Sequence, residues 1–169
     1  MDVSRSVVRE KKNLPDRGCC ACLCGYRSEF YALTEQTKMV LDSKLLDAIS
    51  EQAKASPRLR MNFDLRNAPT DQSQRMLNAL EPGTVMAIHR HPTTTETIVV
   101  LRGALREIFY DDAGRVTDTF VCAPGTDCMG LSIPAGQWHS LECLEPGTVL
   151  FEAKDGPYEP MKPEDIMNI

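Results

Sequence analysis

Apolar residues in the first part of the chain recur at helical spacing. After Met39, the apolar positions that share one helical face are Val40, Leu41, Leu45, Leu46 and Ile49. Asp42 or Ser43 can cap this element, and Pro57 is a residue that ends helices. The pattern therefore predicts a short N-terminal α-helix over about 43–54.

From about residue 73 the apolar positions alternate with polar ones in short runs separated by turn residues. This pattern is typical of the strands of a β sandwich or barrel. We predict strands near 74–80, 84–91, 96–102, 104–110, 116–122, 128–133, 138–144 and 147–153. Asp111–Gly114 has the composition of a hairpin turn between two of them. We therefore expect an all-β domain with one short helix.

Residues 77–85 and 141–149 form a short internal repeat, in which seven of nine positions are identical. Both copies contain Glu-Pro-Gly-Thr between apolar residues, so the same strand–turn–strand corner would be used twice. A double Greek key is built from two such similar halves. The alternative is that a favourable turn sequence simply occurs twice.

Residues 1–38 differ in charge from the remainder of the 169-residue chain. They carry seven Lys and Arg against five Asp and Glu, whereas residues 39–169 carry twelve against nineteen. We expect 1–38 to be a disordered extension and 39–169 to be a single domain, with its barrel core at about 73–153. The sequence leaves open whether the extension belongs to the mature protein.

Charge and apolar patterning exclude some partners. The net charge of −5 disfavours nucleic acid, because phosphate binding requires a basic face. The polar start of the chain does not resemble a secretory signal, and no apolar stretch is long enough to span a membrane. We therefore expect a cytoplasmic protein.

The seven cysteines fall into two groups. Cys122, Cys128 and Cys143 are spread through the body of the chain, where we expect them to be small buried apolar residues. The cluster Cys19–Cys24 lacks the two-residue gaps of a zinc finger or ribbon. Disorder without a function is the interpretation we favour for it, and lipidation or thiol chemistry is the alternative.

The chain has only three histidines, and their spacing suggests a metal site. On the predicted strand 84–91, His89 and His91 project from the same face. Glu96 opens the next strand and His139 lies on a distant one. Because a closed barrel can direct distant strands at one point, these four side chains could bind one metal ion.

Two segments around these residues resemble the two motifs of the cupin family. The first has Gly83, His89, His91, Glu96 and Gly103 at the motif spacing. The second contains Pro134-Ala135-Gly136 and His139, but has Cys128 and Cys143 where the family often has Gly and Asn. The resemblance implies a double-stranded β-helix, or jelly-roll barrel, and one divalent transition metal (Fe, Mn, Ni, Co or Zn) on the four ligands. It also implies a homodimer.

A narrower similarity covers roughly residues 43–160. The segments Ser56–Asn62, Gln74–Ala79, His89–Pro92 and Phe151–Tyr158 resemble the WbuC-type cupin fold metalloproteins. That family is associated with bacterial surface-polysaccharide gene clusters. The resemblance implies a polysaccharide context and no particular reaction.

These observations lead to a functional hypothesis. We expect a metal-binding cupin that acts on a small carbohydrate-type ligand as an isomerase, epimerase or lyase. An Fe(II)-dependent dioxygenase and a non-catalytic ligand-binding module are the alternatives. Since all three histidines are assigned to the metal, a general acid or base must be another residue or metal-bound water.

Candidate residues for contacts with the ligand lie near the motif strands. The candidate catalytic residues are Tyr110, Lys154 and Tyr158. The candidate ligand-binding residues are Arg75, Asn78, Arg106 and Gln137. An arginine inside the barrel would favour an anionic sugar or sugar phosphate, because guanidinium binds such groups through two hydrogen bonds.

Overall fold

The computed structural model describes residues 38–167, which form two antiparallel β-sheets and one α-helix. The elements in chain order are α1 (Ser43–Ala55), β1 (Arg60–Asp64), β2 (Ser73–Leu80), β3 (Glu96–Arg102), β4 (Leu105–Tyr110), β5 (Val116–Cys122), β6 (Gly130–Ile133), β7 (Trp138–Cys143) and β8 (Thr148–Asp155). A short 3₁₀ turn follows at Pro163–Asp165. The cysteine cluster Cys19–Cys24 lies outside the described residues.

The two sheets pack face to face as a jelly roll. The larger sheet has the strand order β1-β2-β8-β3-β6 and the smaller one β5-β4-β7. Their inward-facing residues form a buried apolar core of Leu80, Ile98, Val100, Leu105, Cys122, Cys143 and Leu150. Cys128 packs half-buried against it. The predicted all-β fold with one short helix is confirmed.

Helix α1 packs on the outer face of the larger sheet. Its N-cap is Asp42, whose side chain accepts a hydrogen bond from the backbone N–H of Leu45 at 2.9 Å. Ile49 and Ala53 are buried against β2 and β8. Val40 and Leu41 do not join this face, because they precede the helix and are exposed. No helix among residues 38–167 is long and apolar enough to cross a membrane.

Seven of the eight predicted strands are present, with boundaries within two residues of those expected. The exception is 84–91, which is an extended segment rather than a strand. Only His89 within it makes β-bridges, to His139 on one side and to Ile166 on the other. Strand β1 was not predicted, because its five residues Arg60–Asp64 contain only two apolar positions, too few for a recognisable alternation.

The two copies of the repeat have different roles. Residues 141–149 connect β7 directly to β8, whereas 77–85 lead from β2 into the extended segment. Gly83 and Gly147 both adopt positive φ, at 92° and 69°, so the turns are similar. The Glu81 carboxylate accepts a hydrogen bond from the backbone N–H of Gly147 at 3.0 Å. The repeat is therefore a pair of linked turns, and only one copy is a strand–turn–strand corner.

Replacement of the helix cap tests this assignment of the N-terminus of α1. Asp42→Ala is expected to lower the free energy of unfolding by about 1 kcal/mol, because the N–H of Leu45 loses its acceptor. Ser43→Ala is the matched control, since Ser43 lies inside the helix and should tolerate alanine. Urea unfolding followed by circular dichroism measures both. Equal destabilisation by the two substitutions would contradict the assignment.

Candidate metal centre

The three histidines and Glu96 converge at one end of the jelly roll. Their potential ligand atoms all lie within 4.8 Å of one another. Nε2 of His91 is 2.9 Å from Oε2 of Glu96, and Nε2 of His139 is 3.9 Å from the same oxygen. His89 and His139 are paired directly by two backbone hydrogen bonds of 2.9 Å. The four residues predicted from the sequence are thus brought together.

Backbone contacts from both motifs hold the histidines in place. Nδ1 of His89 donates to the carbonyl oxygen of Ala87 at 3.0 Å, and Nδ1 of His139 donates to that of Gln137 at 2.9 Å. This arrangement leaves the Nε2 lone pair of each ring for a metal. The N–H of Gly136, in the second motif, donates to the carbonyl oxygen of His91 at 2.8 Å. The two motifs are therefore joined by backbone hydrogen bonds.

The protonation states of the cluster suit a divalent metal. Burial lowers the pKa of His89 to about 4, and it also lowers the pKa of His139. Burial opposes ionisation of Glu96, but the His91 imidazole 2.9 Å away and the positive charge of Lys154 bring the Glu96 pKa to about 2. At neutral pH the site therefore offers neutral imidazole and a carboxylate.

Two buried atoms of the cluster, Oε2 of Glu96 and Nε2 of His139, have no hydrogen-bond partner among the described residues. Both atoms are inaccessible to solvent. A buried polar atom without a partner is costly, and a metal ion would remove that cost. Three imidazoles and one carboxylate are a donor set for a divalent transition metal rather than for Ca²⁺ or Mg²⁺. These four residues can hold one such ion.

The cluster forms part of the wall of a cavity of about 760 Å³ inside the jelly roll. Glu96 lies opposite Lys154 in the pairing of β3 with β8, and the next inward pair along these strands is Ile98 with Glu152. Asn78 of β2 lies one inward-facing position further along the sheet than this pair. Its side-chain amide donates a hydrogen bond to Oε2 of Glu152 at 2.6 Å. The cavity therefore has a polar wall beside the metal ligands.

Two buried carboxyl groups that the sequence analysis did not identify face this cavity. Glu107 of β4 is 1% exposed, and neither of its carboxyl oxygens has a partner among the described residues. Burial, Glu96 and Glu152 raise the pKa of Glu107 to about 9. Burial and Glu96 also raise the pKa of Glu152. The only sequence signal for these two glutamates was that each occupies an inward-facing position of an alternating strand. That signal can be recognised only when the register of the strand is known.

Three of the seven candidate contact residues line the cavity. Asn78 and Lys154 lie in its wall, and Tyr158 lies at its rim with 60% of its surface exposed. Lys154 is the one nearest the cluster, with Nζ 3.1 Å from Nε2 of His91. All three residues were predicted from the sequence, but the sequence did not indicate which of them lies nearest the metal ligands.

The two candidate arginines do not reach the cavity. Arg75 forms an ion pair with Asp71 at 3.2 Å, and Arg106 pairs with Glu142 across β4 and β7. Both occupy strand positions whose side chains face away from the barrel interior. Neither arginine is therefore placed to bind an anionic ligand in the cavity, contrary to the expectation from the sequence.

Tyr110 and Gln137 also lie outside the cavity. The Tyr110 hydroxyl is 3.0 Å from the Ser140 hydroxyl on the neighbouring strand. The Gln137 side-chain amide donates to the carbonyl oxygens of Tyr110 and Trp138 at 3.0 and 2.9 Å. Gln137 contributes to the metal site only through its backbone carbonyl, which accepts from His139.

An ion pair that the sequence analysis missed anchors the segment carrying His89 and His91. Nε of Arg90 donates to the carboxylate of Asp165 at 3.0 Å, and its guanidinium lies 4.4 Å from the centre of the Trp138 ring. Asp165 belongs to the 3₁₀ turn and is 75 residues away in sequence. Because Asp165 lies outside both motifs and far from Arg90 in sequence, no local pattern could have identified the pair.

Residues 41–122 match a family model described as a domain of unknown function, DUF6016. No curated protein matches the chain.

The fold is similar to those of several solved structures. The capsular polysaccharide assembling protein CapF from Staphylococcus aureus matches with a TM-score of 0.55 and 21% identity, over 66% of this chain and 32% of CapF. KdgF from Halomonas sp. matches with a TM-score of 0.49 and 16% identity, over 61% of this chain and 84% of KdgF. Oxalate decarboxylase OxdC from Bacillus subtilis gives 0.46 and 22%, over 58% and 25%. The chain thus spans about a third of the length of CapF.

The jelly roll and the cluster of three histidines and one glutamate define the class of the protein. It has the cupin jelly-roll fold, with a site that can hold one divalent metal ion. The cupin fold and the metal cofactor expected from the motifs are confirmed at this level.

Removal of one ligand tests the metal site. Wild-type protein loaded with Mn²⁺ or Zn²⁺ and then desalted should retain about one ion per chain. His139→Ala is expected to lower metal affinity by more than about 100-fold. Loss of a group that only hydrogen-bonds to a metal ligand already lowers affinity by about 10- to 100-fold. Arg106→Ala is the control, because that side chain lies on the outer face. Elemental analysis measures the content, and full occupancy in His139→Ala would refute the assignment.

The buried Glu107 predicts a pH dependence of stability. Its folded-state pKa of about 9 lies above the ordinary value of 4.5. The contribution of Glu107 to the free energy of unfolding is therefore fully present below pH 4.5 and is lost as the pH rises towards 9. Metal-free wild-type protein should lose about 1.4 kcal/mol per pH unit from this group between pH 6.5 and 8.5. Glu107→Gln should remove that slope.

The control for this experiment is Glu142→Gln, which changes an exposed carboxylate. Urea unfolding at four pH values gives the slopes. An unchanged slope in Glu107→Gln would show that Glu107 is ionised in the folded protein.

Proposed function

We propose that the protein is a metal-dependent enzyme that transfers protons on a small carbohydrate-type ligand, as an isomerase, epimerase or lyase. The observation that supports this best is the position of the metal ligands beside Lys154 and Glu152 in one cavity. Nζ of Lys154 and Oε1 of Glu152 are 3.4 Å apart. The cavity therefore has a proton donor and a proton acceptor next to the residues that would hold a Lewis acid.

The metal and the protein residues would have separate tasks. When bound by His89, His91, Glu96 and His139, a divalent Fe, Mn, Ni, Co or Zn ion supplies Lewis-acid polarisation of a ligand carbonyl or hydroxyl. All the histidines of the chain are used as ligands, so acid–base work falls to Lys154, Glu152 or Glu107. A raised pKa suits Glu152 for this work, because a carboxyl with an ordinary pKa is a weak base at neutral pH.

The polar lining of the cavity supports a polyhydroxylated ligand. The amide side chains of Asn62, Gln74 and Asn78 line it together with the carboxylates of Asp64 and Asp155. Amides and carboxylates are suitable partners for sugar hydroxyls because they offer both donors and acceptors. Tyr158 at the rim provides an aromatic surface. A small sugar is therefore the ligand class we propose.

The cellular context of the proposal is bacterial surface-polysaccharide metabolism. It rests on the resemblance to WbuC-type proteins, and CapF is described as a capsular polysaccharide assembling protein. We extend this context to a cytoplasmic homodimer, as the sequence analysis predicts. The choice of sugars as first probes follows from it.

An Fe(II)-dependent dioxygenase is the second candidate, because the same ligand set could support it. Such an enzyme requires open metal positions for oxygen and substrate rather than adjacent acid and base groups. The proximity of Lys154 to Glu152 favours redox-neutral chemistry. A binding module without turnover would use the same cavity, and only an assay separates it from an enzyme.

Proton transfer can be detected without knowledge of the final product. Protein loaded with each metal is incubated in D₂O with a panel of aldoses, ketoses and hexuronates, and ¹H NMR follows exchange of carbon-bound hydrogen and appearance of isomers. We expect metal-dependent exchange with at least one sugar. Glu152→Gln should lower kcat by about 10²–10⁴-fold at saturating metal, the usual contribution of a general acid or base.

Glu142→Gln is the matched control, because this carboxylate is on the surface and pairs with Arg106. An oxygen electrode in the same mixtures detects oxygenase activity. Oxygen uptake that depends on both Fe²⁺ and sugar would favour the dioxygenase. Ligand binding without exchange or oxygen uptake for any metal would favour a binding module.

A further inference from the structure

Lys154 lies against two of the atoms that a metal would bind. Its Nζ is 3.1 Å from Nε2 of His91 and 3.6 Å from Oε2 of Glu96. Its side chain is only 9% exposed, so the ammonium is held in the cavity wall rather than in solvent. Lys154 faces Glu96 directly in the pairing of β3 with β8, which fixes this position in the sheet.

The ammonium and a metal ion require the same electron pairs. An ammonium group has donors only, so it uses the lone pairs of the atoms that it contacts. Nε2 of His91 is also 2.9 Å from the Glu96 carboxylate. In this arrangement the Nε2 lone pair of His91 is used by the ammonium, and the ammonium lies within ion-pair distance of the Glu96 oxygen that a metal would bind. Two cations cannot occupy these positions together, because their charges repel at such distances.

Glu152 offers the ammonium another partner. Its Oε1 is 3.4 Å from Nζ of Lys154, and its Oε2 is held by the side-chain amide of Asn78 at 2.6 Å. Glu152 is two residues before Lys154 on β8, so both side chains face the cavity. The flexible four-carbon stem of lysine allows Nζ to leave the metal ligands and remain paired with Glu152.

We propose that Lys154 is an internal competitor of the metal. In the metal-free protein its ammonium compensates the charge of the buried Glu96 carboxylate and takes the Nε2 lone pair of His91. When a metal binds, the ammonium moves away from His91 and Glu96 and is retained by Glu152. Lys154 thus lowers metal affinity while it stabilises the empty site. The proposal rests on the metal site of the proposed function and assigns a further role to this residue.

The test compares Lys154→Met with wild type in the full-length protein. Competition with a chromophoric chelator gives the Zn²⁺ affinity, and differential scanning calorimetry gives the Tm of the metal-free forms. We expect Lys154→Met to bind Zn²⁺ about 10- to 100-fold more tightly, since a charge-assisted hydrogen bond no longer opposes binding. The Tm of the metal-free variant should fall, because Glu96 loses its counter-charge.

Lys44→Met is the matched control, because it removes the same charge from an exposed site on α1. It should change neither quantity. If the ammonium only repelled the metal from a distance, Lys154→Met would bind more tightly without a fall in the metal-free Tm. Equal affinity of Lys154→Met and wild type would also overturn the proposal.

A double-mutant cycle tests the role of Glu152. Glu152→Gln should weaken Zn²⁺ binding more in the wild-type background than in Lys154→Met, because only the former has an ammonium to relocate. Equal effects in both backgrounds would refute relocation to Glu152. A wild-type protein that binds no Zn²⁺ or Mn²⁺ would instead refute the metal site itself, so the two failures are distinguishable.

Discussion

The structure depends on holding three imidazole nitrogens and one carboxylate oxygen within a few ångströms of one another, out of solvent. The ligands come from β3, β7 and the extended segment 84–91, which are distant in sequence. Backbone carbonyls orient the rings of His89 and His139, and burial keeps these two rings neutral. The closed jelly roll is what makes these conditions compatible, since it fixes separate strands around one interior.

The same interior contains an unusual density of ionisable groups. Glu96, Glu107, Glu152 and Lys154 all face one cavity, and burial of each would be costly without compensation. Apolar packing elsewhere offsets that cost. One cluster fills the space between the sheets, and a second lies between α1 and the outer face of the larger sheet. Helix α1 therefore contributes to the stability of the domain, because the apolar surface that it buries offsets the cost of the polar interior.

Much of the fold and the metal ligands could be predicted because both rest on local spacing. Alternation identified seven of the eight strands of the structure, and the two-residue spacing of His89 and His91 predicted that their side chains share one side. The shared side did not require a regular strand, because a segment held by two β-bridges at His89 projects its side chains similarly. Local pattern did not predict that Glu107 faces the cavity, and it wrongly predicted that Arg106 does. They are neighbours on β4, and only the register of the sheet determines that the glutamate faces inward and the arginine outward.

The contacts between the 3₁₀ turn and the His89 segment determine the point during synthesis at which the metal site has all its supporting residues. The segment with His89 is paired on one side with β7 and on the other with residues 165–167, through backbone hydrogen bonds of Arg90 to Asp165 and of Met167 to Ile88. Residues 165–167 leave the ribosome more than 70 residues after His89 and His91. A nascent chain therefore carries two exposed histidines before their supporting neighbours exist. The segment that carries these two histidines therefore gains its full set of backbone partners only after residues 165–167 have been synthesised.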